Sequence, residues 1–203
     1  MNLPNKLTLL RIVLVPVFLA CMYVQFPFHF TAALVVFALA SITDALDGHI
    51  ARSRNLITTF GKFADPLADK ILVLAAFAAM ADISARMMAT PGVETSLHVS
   101  GIVVTIIAAR EFMVSGLRLV TAEKGIVVAA GIWGKLKTAF TMVTQVVILL
   151  YLSLREDFVL YPVALYEDII SWILFALVWI SVILTVISGA VYLKGYWKYI
   201  DMK

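Results

Sequence analysis

Four carboxylates stand out in this sequence: Asp44 and Asp47, three residues apart, and Asp65 and Asp69, four apart. On helices, each spacing puts its two side chains on one face about one turn apart. Both pairs sit at the ends of strongly apolar runs joined by a short connection, so the two runs are expected to be antiparallel neighbours. Carboxylates converging where the dielectric is low repel strongly. Hard divalent cations held by oxygen ligands relieve that repulsion, and Mg²⁺ is the usual choice where phosphates complete the shell. The competing reading is a set of interfacial charges paired with Arg52, Arg54, Lys62 and Lys70. Ionisable groups within a membrane are costly and tend to be functional, which favours metal chemistry for the set of four.

The surrounding residues suit that chemistry. Gly48 and Ala51 lie on or near the face of Asp44 and Asp47, and Gly61 is one turn before Asp65. Small residues there let a helix or a ligand approach the backbone. Arg52 and Arg54 follow at the helix end and suit phosphate oxygens. Pro66 removes the hydrogen bond normally made to the carbonyl of Lys62, so either the helix begins near it or a carbonyl is freed beside the site. A second polar stretch reads Ala109-Arg110-Glu111-Phe112, with Arg118 further on, then Gly134-Lys135-Leu136-Lys137-Thr138. Arg110 and Arg118 share a helical side. With Lys135 and Lys137 they form either a site for the phosphate of an anionic acceptor or simple loop charge.

The elements that must position these groups are apolar. Of 203 residues, 63% are hydrophobic and 14% charged, with a mean hydropathy of +1.00. Average soluble domains are roughly 45–50% apolar and about 25% charged. That excludes a disordered chain, a basic nucleic-acid-binding domain and an ordinary cytosolic enzyme core. Apolar runs fall at Thr8–Phe26, Phe30–Ile50, Gly61–Ala81, Val99–Val120, Gly134–Leu154 and Ile169–Val191. Each is close to the about 20 residues of a spanning helix, and none shows the alternation of a membrane barrel. The expectation is an all-α integral membrane protein: a single domain over 1–203 with six transmembrane helices. The start lacks a small-residue cleavage site, so no removable signal peptide is expected. Cys21 stands alone, which excludes an intrachain disulfide.

Sorting Lys and Arg by these spans gives 14 on the side of the termini and two, Arg86 and Arg155, on the other. By the positive-inside bias both termini are expected in the cytoplasm. Asp82, Glu94, Glu156, Asp157, Glu167 and Asp168 read as solvated outer carboxylates. Tyr192, Tyr196, Trp197 and Tyr199 read as an interfacial belt. Ser181, Thr185 and Ser188-Gly189 read as a close helix contact, and His29, His49 and His98 are not expected ligands.

The segment D44-x-x-D47-G48-x-x-A51-R52, eight residues, then G61-x-x-x-D65-x-x-x-D69 resembles the signature of the CDP-alcohol phosphotransferases. That resemblance implies a six-helix bundle which transfers a phosphatidyl or similar group from a CDP-linked donor to an alcohol and releases CMP. It implies two Mg²⁺ or Mn²⁺ ions held by Asp44, Asp47, Asp65 and Asp69, with Asp69 also the base that deprotonates the acceptor. Gly48, Arg52, Thr58 and Gly61 would lie against the CDP moiety, and a homodimer is implied. The stretches A-R-E-F, G-L-R and G-K-x-K-T, with the opening N2-L3-P4-N5-K6-L7-T8-x-x-R11, are similar to the family's bacterial branch. That branch joins CDP-diacylglycerol to glycerol 3-phosphate at the inner membrane. It would set Arg110, Arg118, Lys135 and Lys137 on the acceptor phosphate. Asn5, Thr8 and Arg11 then either approach the nucleotide or serve as helix cap and interfacial anchor. Rival readings are a sister enzyme with another acceptor (inositol phosphate, serine or phosphatidylglycerol) and a divalent-cation transporter. The transporter predicts acidic residues running on toward the outer half of the spans, where the sequence has none.

Overall fold

The computed structural model describes residues 2–53, 59–90, 97–123, 125, 131–158 and 166–197, with side chains for all of these except 3, 4, 45–53, 59–63 and 123. Among the described residues the chain forms six α-helices: α1 Leu3–Tyr23, α2 His29–Ser53, α3 Thr59–Ala89, α4 Gly101–Glu123, α5 Ile132–Leu152 and α6 Glu167–Tyr196. One π turn, Ser153–Asp157, extends α5. The six helices match the six apolar runs. Among the described residues, four stretches are long and apolar enough to cross a bilayer: Asn5–Tyr23, Ala64–Ala89, Ile132–Asp157 and Glu167–Tyr196. The apolar part of α2, His29–Asp44, is shorter, and α4 carries Arg110, Glu111 and Arg118.

Each helix buries one stripe. On α3 it runs Ala64, Ala68, Leu72, Ala76, Met80, the four-residue rows of close helix packing, with small residues that let backbones approach. Asp65 and Asp69 follow Ala64 and Ala68 by one residue. They therefore stand about 100° round the helix, at the edge of the contact. On α1 the stripe is Asn5, Thr8, Arg11, Val15, Phe18, Met22, polar at one end and apolar at the other. On α6 it is Leu174, Val178, Ser181, Thr185, Ser188, Tyr192. The apolar ends meet in a core that includes Phe18, Phe37, Leu72, Phe77, Met80, Ile107 and Ile148. Leu9, Val13 and Val17 on α1 and Trp172, Ile173 and Ile183 on α6 face outward and are exposed, as expected of a surface solvated by lipid.

The packing order corrects one expectation. α1 packs along both α2 and α3, while α2 and α3 touch only sparsely among the described residues. A short connection brings two helices into sequence order but does not oblige them to pack, and the first helix is wedged between them. α3 also settles the alternative at Pro66: the proline lies inside the helix, so the carbonyl of Lys62 loses its usual donor.

At the opposite end, two of the outer carboxylates are structural and not merely solvated. Asp157 Oδ2 accepts both the backbone N–H and the Oγ1 hydroxyl of Thr31, each at 2.6 Å, which ties the π turn to the start of α2. Glu167 pairs with Arg155 at 3.0 Å and so joins the end of α5 to the start of α6. Asp82 is partly exposed and pairs with Arg86.

Candidate active site

The polar end of α1 reaches both acidic helices. Thr8 Oγ1 donates to Asp65 Oδ1 at 2.5 Å, and Arg11 Nη1 stands 2.7 Å from Asp44 Oδ1. Arg11 is fully buried, which suits a guanidinium only where an anion is at hand. Capping and interfacial anchoring therefore do not describe Thr8 and Arg11. The N-cap of α1 is Asn2, and both residues lie inside the bundle. Asn5 is buried on the same stripe.

A cavity of about 610 Å³ opens between α2, α3, α4, α5 and α6. Asp44, Asp65 and Asp69 line one side, with Pro66 and Lys70. Arg110, Glu111 and Arg118 of α4, Gly134, Lys135 and Thr138 of α5 and Tyr192 of α6 line the rest. The two polar stretches of the sequence thus share one chamber. Lys137 is placed differently. It is buried against Glu111, with which it forms an ion pair, and lines a small neighbouring cavity with Asp69, Lys70 and Thr141. The backbones of Asp47, Gly48 and Arg52 belong to α2 and that of Gly61 to α3, with side-chain positions outside the described residues. Thr58 lies outside them altogether.

Arg110 is fixed from three directions. Its Nη1 donates to Glu111 Oε1 at 3.0 Å and its Nη2 to Ser188 Oγ at 2.6 Å. Its guanidinium carbon lies 5.6 Å from the centre of the Tyr192 ring. Arg110 falls on the α4 stripe that continues through Ile107 and Val114, so the helix turns it inward. A Cβ on Gly189 would come within 3.2 Å of Arg110 Cγ, so α6 passes close beside it.

Three contributors were not expected. Glu111 joins Arg110 to Lys137. Ser188 bonds Arg110 where only helix packing was read. Tyr192 is buried in the cavity wall and is not part of an interfacial belt. The available signal was the four-three-four spacing of Ser181, Thr185, Ser188 and Tyr192, which puts all four on one face.

The donor set on the acidic side is carboxylate oxygen throughout, which fits a hard divalent cation better than a soft one. Asp44 is engaged by Arg11 and Asp65 by Thr8, and among the described residues no three ligating side chains form a closed cluster. Asp47, one helical turn beyond Asp44, is the fourth member of the set.

The family model for CDP-alcohol phosphatidyltransferases matches residues 1–187. The chain belongs to the CDP-alcohol phosphatidyltransferase family. Among similar proteins is a CDP-diacylglycerol–glycerol-3-phosphate 3-phosphatidyltransferase of Bacillus subtilis (strain 168), 39% identical over 209 residues, covering 97% of this chain and 96% of the relative. Proteins of the same name from Rickettsia bellii and Rickettsia felis are 36% and 35% identical over 198 residues, each covering 98% of this chain and 97% of the relative. In this CDP-alcohol phosphatidyltransferase the signature carboxylates and the α4 arginines all fall within the matched residues, whereas Ser188, Gly189 and Tyr192 lie beyond them.

Proposed function

We propose that the protein transfers a phosphatidyl group from CDP-diacylglycerol to glycerol 3-phosphate, giving phosphatidylglycerophosphate and CMP. The observation that carries this reading is the single chamber in which Asp44, Asp65 and Asp69 face Arg110, Arg118 and Lys135. The near full-length likeness to relatives named for this reaction supports it. In this reading Arg110, Arg118 and Lys135 bind the phosphate of glycerol 3-phosphate, with Lys137 held behind them by Glu111. Asp69 accepts the proton of the attacking hydroxyl. The oxygen attacks the β-phosphorus of the donor, the bond from that phosphorus to the CMP oxygen breaks, and CMP leaves. Asn5, Thr8, Gly48, Arg52, Thr58 and Gly61 belong to the CDP side. Asp44, Asp47, Asp65 and Asp69 would hold Mg²⁺ or Mn²⁺, two per site, whose charge neutralises the donor phosphates and the departing CMP.

The same reading has all six helices crossing a bacterial inner membrane, both termini and the site at the cytoplasmic face, and the enzyme acting as a homodimer. The 14-to-two distribution of basic residues supports the orientation. It also suits the substrates, since the nucleotide needs water while the acyl chains stay in lipid. A cation transporter would need polar groups leading on from the carboxylates, but the core beyond them is packed with Phe18, Phe37, Leu72, Phe77 and Met80.

The test is an acceptor comparison with labelled CDP-diacylglycerol and purified protein. CMP release is expected with glycerol 3-phosphate and not with inositol phosphate, serine or phosphatidylglycerol. Silence with glycerol 3-phosphate and release with inositol phosphate overturns the assignment in favour of a sister enzyme.

A further inference from the structure

We propose that Tyr192 is a positioning residue that sets the acceptor pocket for an alcohol bearing a phosphate monoester, by holding the two α4 arginines and the start of α5 in register. The inference rests on the acceptor-site reading above. Tyr192 is 4% exposed and forms part of the wall of the large cavity. The guanidinium carbons of Arg110 and Arg118 lie 5.6 and 5.7 Å from its ring centre. Its hydroxyl accepts the backbone N–H of Gly131, the N-cap of α5, at 2.9 Å. Gly134 approaches so closely that a Cβ there would stand 2.9 Å from the same hydroxyl. One side chain on α6 therefore touches the two elements that supply Arg110, Arg118 and Lys135 to the pocket.

The choice of an aromatic ring has a physical reason. Two guanidiniums set against one ring both stay charged at any working pH and repel each other. Arg110 already pairs with Glu111, and a further carboxylate between the two arginines would compete with the incoming phosphate. The negative face of a ring attracts cations without carrying a net charge. The ring thus holds Arg110 and Arg118 in place without adding a negative charge to the pocket. The hydroxyl adds a second function, since Gly131 fixes where α5 begins and hence where Lys135 projects. Close approach at Gly134 leaves the ring little room to swing away.

The experiment compares Tyr192→Phe, Tyr192→Leu and Gly134→Ala with the wild type. CMP release is followed against glycerol 3-phosphate at saturating CDP-diacylglycerol, then against the lipid at saturating acceptor. Tyr192→Leu, which loses ring and hydroxyl, is expected to raise KM for glycerol 3-phosphate about tenfold. Tyr192→Phe keeps the ring and is expected to raise it about threefold. Gly134→Ala leaves the tyrosine intact but displaces it, and is expected to raise the same KM, with KM for CDP-diacylglycerol within about twofold throughout. An unchanged acceptor KM in Tyr192→Leu, or an equal rise in both KM values, overturns the proposal. If Tyr192→Leu does not fold, an unchanged acceptor KM in both other variants overturns it equally. Should the wild type itself release no CMP with glycerol 3-phosphate, the acceptor reading fails first. A competent wild type without selective shifts in the variants removes only the role of Tyr192.

Discussion

Asp69 differs from Asp44 and Asp65 in what touches it. Asp44 faces Arg11 and Asp65 is bonded by Thr8, whereas Asp69 lines both the large cavity and the small one behind it. If Asp69 is the base, Asp69→Asn retains nucleotide binding better than Asp44→Asn or Asp47→Asn, yet loses about 10²–10⁴-fold in turnover. Equilibrium CMP binding beside a CMP-release assay checks this, and substantial turnover in Asp69→Asn counts against the role. That Asp44, Asp65 and Asp69 share one cavity with Arg110, Arg118 and Lys135 was legible in part in the sequence, because their spacing is local and a helix converts it directly into a shared face. Ser188 and Tyr192 were not. Their partners are on α4 and α5, scores of residues away, and nothing local distinguishes a tyrosine that meets lipid headgroups from one that carries two arginines.

The helices themselves were legible, since an unbroken apolar run near spanning length leaves a chain in lipid few alternatives, though α1 starts at Leu3, α3 runs on to Ala89 and α6 to Tyr196, beyond the apolar runs. Their pairing was not, because connection length constrains neighbours only weakly, and α1 between α2 and α3 is the result. Polar groups within the α5 stripe show what the bundle tolerates. Gln145 is fully buried and its Nε2 donates to the carbonyl of Val73 at 2.8 Å, while its Oε1 has no hydrogen-bond partner among the described residues. The Val73 carbonyl keeps its own helical bond without the glutamine. A leucine here removes the unpartnered Oε1 and leaves no donor or acceptor newly unpaired, so the change is close to neutral or stabilising. Gln145→Leu is therefore expected to leave turnover within about twofold and the thermal midpoint in detergent equal or higher. A fall of more than about 4 °C would show that the amide is needed where it lies.

At the scale of the whole molecule, the expected spans sort its charges by side. The formal +3 then resolves into 14 basic and seven acidic residues on the side of the termini and two basic and six acidic on the other. Single-cysteine labelling tests the orientation, and the buried Cys21 keeps the background low. With a membrane-impermeant maleimide, Asp168→Cys is expected to react in intact spheroplasts and Lys203→Cys only after permeabilisation. The reverse pattern would put the site on the outer face. The wedge of α1 has a consequence for how the chain is made. Arg11 leaves the ribosome 33 residues ahead of Asp44, which at about 5–20 residues per second is roughly 2–7 s. The first helix thus enters the bilayer with a cation whose counter-ion does not yet exist. Shortening the chain through that segment would remove the partners of two carboxylates of the chamber wall and not a dispensable anchor. Sliding it by one turn, about 5.4 Å, would carry Thr8 and Arg11 past the carboxylates they now hold.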